Sequence, residues 1–228
     1  AGGDGTEETP YLIANFNDWY EMVIQSTSYS HYRLISDITI EPYRFTEQQY
    51  AFNGFLHGGG HILFMPNSID HSFLAVYFGA FVLLPEVHGL VDSIKTAGDL
   101  SYMFAITNVL LGGEMSDCTN SANVSLSDEY RAVEYAFFVL ENHGRIKNCI
   151  NYGNITFSED FDSWSRIFAG AITFGNYGGE IIGCKNYGDI TGCFASGGIC
   201  SINYYGTIKN CTNYGNILSP TDIVLEDF

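Results

Sequence analysis

The sequence predicts an all-β fold, a right-handed parallel β-helix solenoid with a short helix capping its N-terminal end. Three observations carry that expectation. A unit of the form Gly-x-Ile-x-Asn-Cys-x-Asn-Tyr-Gly-x-Ile is written over 144–155, 179–190 and 206–217, with worn copies over 113–124 and 89–100. Self-similarity at a period of a few tens of residues marks a solenoid. The cysteine place recurs at Ile94, Cys118, Cys149, Cys184 and Cys211, in steps of 24, 31, 35 and 27 residues. Within the unit, apolar residues come as short groups broken by Asn, Asp and Gly. That reads as strand, bend, strand, not as the three-and-four spacing of a helix.

The unit also predicts its own bends. Ile208 and Cys211 are three residues apart, so one straight period-two strand cannot point both inward. The residue before the cysteine place is Asp117, Asn148, Gly183 or Asn210, the types that tolerate a left-handed backbone best. A left-handed bend is therefore expected there, with Ile208 inward before it and Cys211 and Asn213 inward after it. The next corner is Tyr-Gly, where Gly153, Gly188 and Gly215 are expected to supply a positive φ and Ala122 marks the worn copy. A third strand is expected from upstream, as in Gly197-Gly198-Ile199 or Gly170-Ala171-Ile172, giving three short strands per turn.

The unit, with Gly-Gly-Ile ahead of it, resembles the GLUG-type repeats of bacterial surface proteins. The early segments Thr9-Pro10-Tyr11-Leu12-Ile13, Tyr32-Arg33-Leu34-Ile35-Ser36-Asp37-Ile38 and Phe52-Asn53-Gly54-Phe55-Leu56-His57-Gly58-Gly59-Gly60-His61-Ile62 look like the lead-in of those proteins. The resemblance touches nearly the whole chain and implies the solenoid and an extracellular or cell-surface location. Such repeats also occur as non-catalytic regions beside bacterial immunoglobulin-cleaving peptidases; the expectation of a non-catalytic role rests on the lack of a Gly-x-Ser-x-Gly elbow, a His-Glu-x-x-His and a paired Cys-x-x-Cys.

Composition narrows the partners. The 228 residues are 46% hydrophobic, enough for one elongated domain over 10–228, with repeats clearest over 89–217 and residues 1–9 read as a flexible tether. Nine Lys and Arg face 26 Asp and Glu, a formal net charge of −17. A nucleic-acid binder needs a basic stripe to neutralise phosphates, and the same reasoning disfavours anionic membranes and polyanionic glycans. No run approaches the roughly 20 apolar residues of a membrane span. No signal segment opens these residues, so a mature or trimmed form is expected. The six cysteines are expected to be free. Stacked residues sit about 4.8 Å apart with parallel side chains, whereas a disulfide needs Cβ atoms roughly 3.5–4.5 Å apart. Cys118, Cys149, Cys184 and Cys211 read as a ladder of buried thiols; Cys193 and Cys200, whose facing the pattern does not fix, are where a disulfide would be sought.

Taken in order, Tyr11-Leu12-Ile13 reads as a strand. Phe16, Tyr20, Val23 and Ile24 then fall at helical spacing, with Asn15 or Asn17 as N-cap and Asp18 and Glu21 in the first turns. This helix is expected across the open end of the solenoid, where strand edges and apolar stack would otherwise face water. Residues 32–40 alternate toward a strand. In His57-Gly-Gly-Gly-His61 the glycines forbid a helix, and in an extended chain the two imidazoles stand more than ~10 Å apart. A glycine corner is expected, with no metal and no cofactor. Residues 73–84 read as a strand pair in the core. The insertion after Ile155 reads as a loop on one face, and Ser219-Pro220 with Asp222, Glu226 and Asp227 as an end that discourages edge association.

Three groups could carry function. If Asn151, Asn186 and Asn213 point inward, Tyr152, Tyr187 and Tyr214 stack outward along one corner, a surface suited to sugars or protein partners; the plainer reading is ordinary β-surface. Glu159, Asp160, Asp162 and Trp164 crowd the insertion, where a glycosidase would need paired carboxylates and calcium would find oxygen ligands; the plainer reading is a solvated loop. Asn120, Asn151, Asn186 and Asn213 read as a structural amide ladder. The sequence thus points first to a non-catalytic, adhesin-like binding protein for a glycan or host-protein ligand. The alternative is a polysaccharide-active enzyme, glycosidase or lyase, on the same scaffold, and a third is a plain spacer. Lyases on acidic glycans normally use Lys or Arg, which this chain lacks in number.

Overall fold

A computed structural model describes residues 2–25, 29–43, 51–69, 80–126, 132–157 and 166–218. It is a parallel β-helix. Its spine is an eight-stranded sheet whose levels are Tyr11–Ile13, His31–Leu34, Phe55–His57, Leu90–Asp92, Glu114–Ser116, Arg145–Lys147, Glu180–Ile182 and Thr207–Lys209. The pairings Leu90↔Glu114, Glu114↔Arg145, Arg145↔Glu180 and Glu180↔Thr207 reproduce the offsets of the cysteine place. The repeat unit is therefore one level of the solenoid, and its Ile column, Met115, Ile146 and Ile181, is fully buried.

The turns that begin at Glu114, Arg145 and Glu180 carry five strands each, not the three expected. Between Gly144 and Gly179 they are Arg145–Lys147, Ile150–Asn151, Ile155–Phe157, Arg166–Gly170 and Thr173–Tyr177. Two additions make the difference: a short strand past the Tyr-Gly corner, as in Ile155–Phe157, and a division of the upstream segment. In the earlier turns it is one long strand, as in Met103–Leu110, but at Phe137-Phe138 and Ala171-Ile172 the chain bends and divides it in two. Gly170-Ala171-Ile172 and Gly197-Gly198-Ile199 therefore mark a corner between strands.

The left-handed bends fall where the residue types place them. Asp117, Asn148 and Asn210 have φ of 55°, 54° and 54°, Gly183 has 67°, and the worn copy uses Ser93 at 52°. The Tyr-Gly corner is a correction. Gly153, Gly188 and Gly215 do not have a positive φ; glycine is required there because a Cβ would meet the carbonyl of the level below. It would lie 1.8 Å from the Ala122 oxygen for Gly153, and 1.9 Å from the Gly153 and Gly188 oxygens for the next two. The triple glycine is a corner, with Gly59 and Gly60 at φ of 59° and 81°.

The helix runs Phe16–Gln25, and Asn15 is its cap: Asp18 N donates to Asn15 Oδ1 at 3.1 Å, while the Asp18 carboxylate accepts from Ala14 N and Asn15 Nδ2, both at 3.0 Å. Its buried stripe is Trp19, Met22 and Val23, with Phe16 and Tyr20 packed at the margin. Trp19 is the member the spacing argument missed. Its Nε1 donates to the Tyr43 hydroxyl at 3.1 Å, which donates to the Leu83 carbonyl at 2.7 Å. Leu83 lies in Ala80–Val87, an edge strand of its sheet. The helix thus covers apolar stack, and its Trp19 holds the Tyr43 hydroxyl that donates to the edge strand. Residues 2–9, expected to be a tether, are hydrogen-bonded into this end: Leu12 N donates to Gly2 O at 3.0 Å and His31 N to Gly5 O at 2.8 Å. Asp4 accepts from Thr6 and Thr9, which holds its carboxyl below the usual range. Residues 70–79 of the expected strand pair, the insertion residues 158–165 and the 219–228 end lie outside the described residues.

Candidate ligand-binding surfaces

The geometry of the repeat corner begins inside the solenoid. Asn120, Asn151 and Asn186 are wholly buried. Asn120 Nδ2 donates to Asn151 Oδ1, Asn151 Nδ2 to Asn186 Oδ1 and Asn186 Nδ2 to Asn213 Oδ1, each at 2.7 Å. Thr96 Oγ1 starts the chain by donating to Asn120 Oδ1 at 2.7 Å. Each amide also closes its own corner: Asn186 Nδ2 donates to Gly188 O at 2.8 Å, and Gly188 N donates to Asn186 Oδ1 at 3.2 Å. Every polar atom of the buried amide is engaged, which is what burial requires.

That inward pinning sends the next residue outward. Tyr152, Tyr187 and Tyr214 are 51%, 41% and 59% exposed. Their rings lie flat on one another, 5.1 Å apart at 11° for the first pair and 4.7 Å at 9° for the second. Inner faces are therefore occupied by neighbouring rings, and the column offers ring edges and hydroxyls. Beside it runs a second row, one residue past the glycine: Asn154 N donates to Asn123 Oδ1, Asp189 N to Asn154 Oδ1 and Asn216 N to Asp189 Oδ1, at 3.0, 2.8 and 2.7 Å. Glu159, Asp160, Asp162 and Trp164 lie outside the described residues.

Cys118, Cys149 and Cys184 are wholly buried, Cys211 partly so in the last level, and all six cysteines are free thiols. The stacked sulfurs donate weakly to backbone carbonyls, as from Cys149 Sγ to Lys147 O at 3.5 Å. Burial pushes Cys149 well up; the neighbouring Cys149 thiol, then burial, raises Cys184. Burial pushes Cys193 up to about 12 and Cys200 up to about 11. A thiol so far from ionising is a packing group, not a nucleophile.

A second amide ladder escaped the sequence reading. Asn142 Nδ2 donates to Asn176 Oδ1 at 2.7 Å and Asn176 Nδ2 to Asn203 Oδ1 at 2.8 Å. Asn142, Asn176 and Asn203 each stand two or three residues before the glycine that opens a unit, and that recurrence was the available signal.

A trough of about 490 Å³ also escaped it. It lies along the opening glycines, on the outer side of the eight-stranded sheet. Arg145 Nε contacts Glu180 Oε2 at 2.9 Å and its Nη1 contacts Glu114 Oε2 at 3.5 Å, which raises the guanidinium further. His88 is held by Glu86, and His143 Nε2 stands 3.7 Å from Glu141 Oε2. His143 stacks on Tyr177 at 5.6 Å. Behind it, burial and then the Glu141 charge raise the Glu134 carboxyl. His57 and His61 are not brought together: His57 Nδ1 pairs with Asp92 Oδ2 at 2.6 Å, and His61 Nδ1 with Asp37 Oδ1 at 3.3 Å. Among the described residues no group of three His, Cys, Asp or Glu is placed to hold a metal, and no helix is long and apolar enough to cross a membrane.

No family model and no curated protein matches the chain. Among solved structures, it is similar to the crystal structure described as that of a "putative immunoglobulin A1 protease from Bacteroides ovatus", at 15% identity and a TM-score of 0.56, over 99% of this chain and 81% of that one. A second likeness, to a chain described as IgA1 Protease, has 12% identity and a TM-score of 0.46, over 96% of this chain and 21% of that one. At that identity the first likeness shows the fold, a solenoid spanning the whole chain.

Proposed function

We propose that this chain is a secreted or cell-surface bacterial binding protein of the GLUG-repeat kind, non-catalytic, whose solenoid presents its tyrosine corner to a glycan or host-protein ligand. The observation that carries this reading is the column of Tyr152, Tyr187 and Tyr214, half exposed, parallel and held straight by the buried amides behind it. Rigid aromatic edges tipped with hydroxyls give contact area at little entropic cost, and the Asn154, Asp189 and Asn216 row adds polar contacts at the same spacing. An extracellular setting fits the repeat resemblance and the likeness in fold.

The test is a glycan and host-protein binding array, with release assays on the same glycans. Binding without release is expected, and Tyr187→Ala with Tyr214→Ala is expected to weaken the ligand at least tenfold while the melting temperature stays within a few degrees. Unchanged binding in that double variant removes the corner from the site. A second reading is a polysaccharide-active enzyme: burial and then the Glu141 charge shift the Glu134 carboxyl upward, the direction that suits a general acid. Released sugar that disappears in Glu134→Gln would select it.

A further inference from the structure

We propose that the trough along the opening glycines is a second binding site, for a neutral oligosaccharide lying along the solenoid axis. Its floor is bare by necessity. A Cβ on Gly113 would lie 2.5 Å from the Gly89 oxygen and one on Gly144 2.4 Å from the Gly113 oxygen, so successive levels contribute no side chain. The lining runs from Tyr29, beside the His31–Leu34 level, to Glu180, five strand spacings on, roughly 24 Å at about 4.8 Å each. Its volume of about 490 Å³ is that of a small-molecule site, and its shape suits a chain.

The walls supply the chemistry. At one end Tyr29, 80% exposed, offers ring surface for the apolar face of a sugar, and Phe55, one face of which is stacked on His31 at 4.3 Å, adds its remaining surface. Further along, Arg145 fixes Glu114 and Glu180, while His88 and His143 engage Glu86 and Glu141. Glu114 and Glu180 already face Arg145 and Glu86 faces His88, so the lone pairs left over suit hydroxyl groups better than a free cation. Nε2 of His88 is committed to Glu86, which leaves its Nδ1 as the remaining polar atom, and the His88 and His143 rings recur two levels apart, roughly 9.6 Å. Glu114 and Glu180 in the lining outnumber Arg145, and Glu86 and Glu141 stand beside its histidines, a balance that disfavours a polyanionic glycan. This site stands apart from the tyrosine corner and does not need it.

Calorimetry on the intact chain decides the matter, with cellohexaose, xylohexaose, mannohexaose and maltohexaose as neutral probes, a polygalacturonate hexamer as the acidic one and a lysine-rich decapeptide as the basic one. At least one neutral hexaose is expected to bind. Tyr29→Ala with Phe55→Ala should weaken it tenfold or more, and Tyr29→Ala alone, at a surface position that cannot unfold the core, by at least threefold. Tyr187→Ala with Tyr214→Ala should leave it unchanged. Failure of all four neutral probes at millimolar concentration overturns the proposal, as does binding of only the acidic hexamer or only the peptide. Loss confined to the corner variant also overturns it, and leaves the function proposed above standing.

Discussion

The early and late levels of the solenoid share one backbone path but fill it differently. In the seven-stranded sheet the inward column begins Ile38, Leu63, Thr96 and continues Asn120, Asn151, Asn186, all nearly or wholly buried. The left-handed bend is held by Ser93 in the first region and by Asp117, Asn148 and Gly183 in the second. Stacking parallel levels thus needs shape at each corner, not one residue type. Identity matters for register. An apolar column tolerates swaps of similar volume at modest cost, whereas an amide column is a chain of donors and acceptors that a slip of one residue would break throughout.

The largest effect that sharpens this contrast is expected at the amides. Asn186→Ala strands one hydrogen of Asn151 Nδ2 and the Gly188 N–H in the buried interior. The expected loss is on the order of 3–5 kcal/mol in a denaturant titration. Thr96→Val removes only the hydroxyl that starts the chain and should cost about 1–2 kcal/mol. Equal losses would mean that the amide column is ordinary packing.

The thiols extend the contrast to pH, because only the late region carries them. The folded pKa of Cys193 is raised to about 12 and that of Cys200 to about 11, from an ordinary 9.0. In that window the unfolded chain has released protons that the folded chain keeps, so stability falls as pH rises. It should be fully present below about pH 9 and decline up to about 12, by a few kcal/mol overall. Cys193→Ala should flatten the slope of the denaturation midpoint against pH. An unchanged slope would place the titration elsewhere.

The smallest effect tests what the regions share. Asn148→Val and Ser93→Val each force a β-branched residue to a φ near 53°, and each should cost on the order of 1–3 kcal/mol. Lys147→Ala, an exposed position one residue before the bend, should shift the midpoint hardly at all. A harmless Ser93→Val would show that the early levels reach the bend without strain.

How much was legible follows the same division. In the late levels the cysteine offsets gave the register and the residue before each cysteine gave the bend, because left-handed geometry restricts side-chain choice. The Asn and Tyr facings followed from alternation past that bend. The Tyr-Gly glycines were read through the wrong cause: positive φ and close approach both demand glycine, and only the neighbouring level tells them apart. The fifth strand was hidden because Phe137-Phe138 and Ala171-Ile172 bend with no shared turn residue. Trp19 was missed because four apolar residues at helical spacing already made a stripe. The trough is made by residues from six levels that stand in register but, apart from the glycines and the His88 and His143 pair, change type from level to level, so no one-dimensional pattern marks it.

The central claim is that identical residues of successive units stack in register inside the solenoid, and thiol labelling tests it most directly. Native protein prepared without reductant would be treated with an alkylating reagent over time and mapped by mass spectrometry. All six cysteines should be free; Cys200 and Cys211 should label first, and Cys118, Cys149, Cys184 and Cys193 only once the chain unfolds. A disulfide between any two of Cys118, Cys149, Cys184 and Cys211, or labelling of Cys149 as fast as Cys211, would contradict the in-register stack.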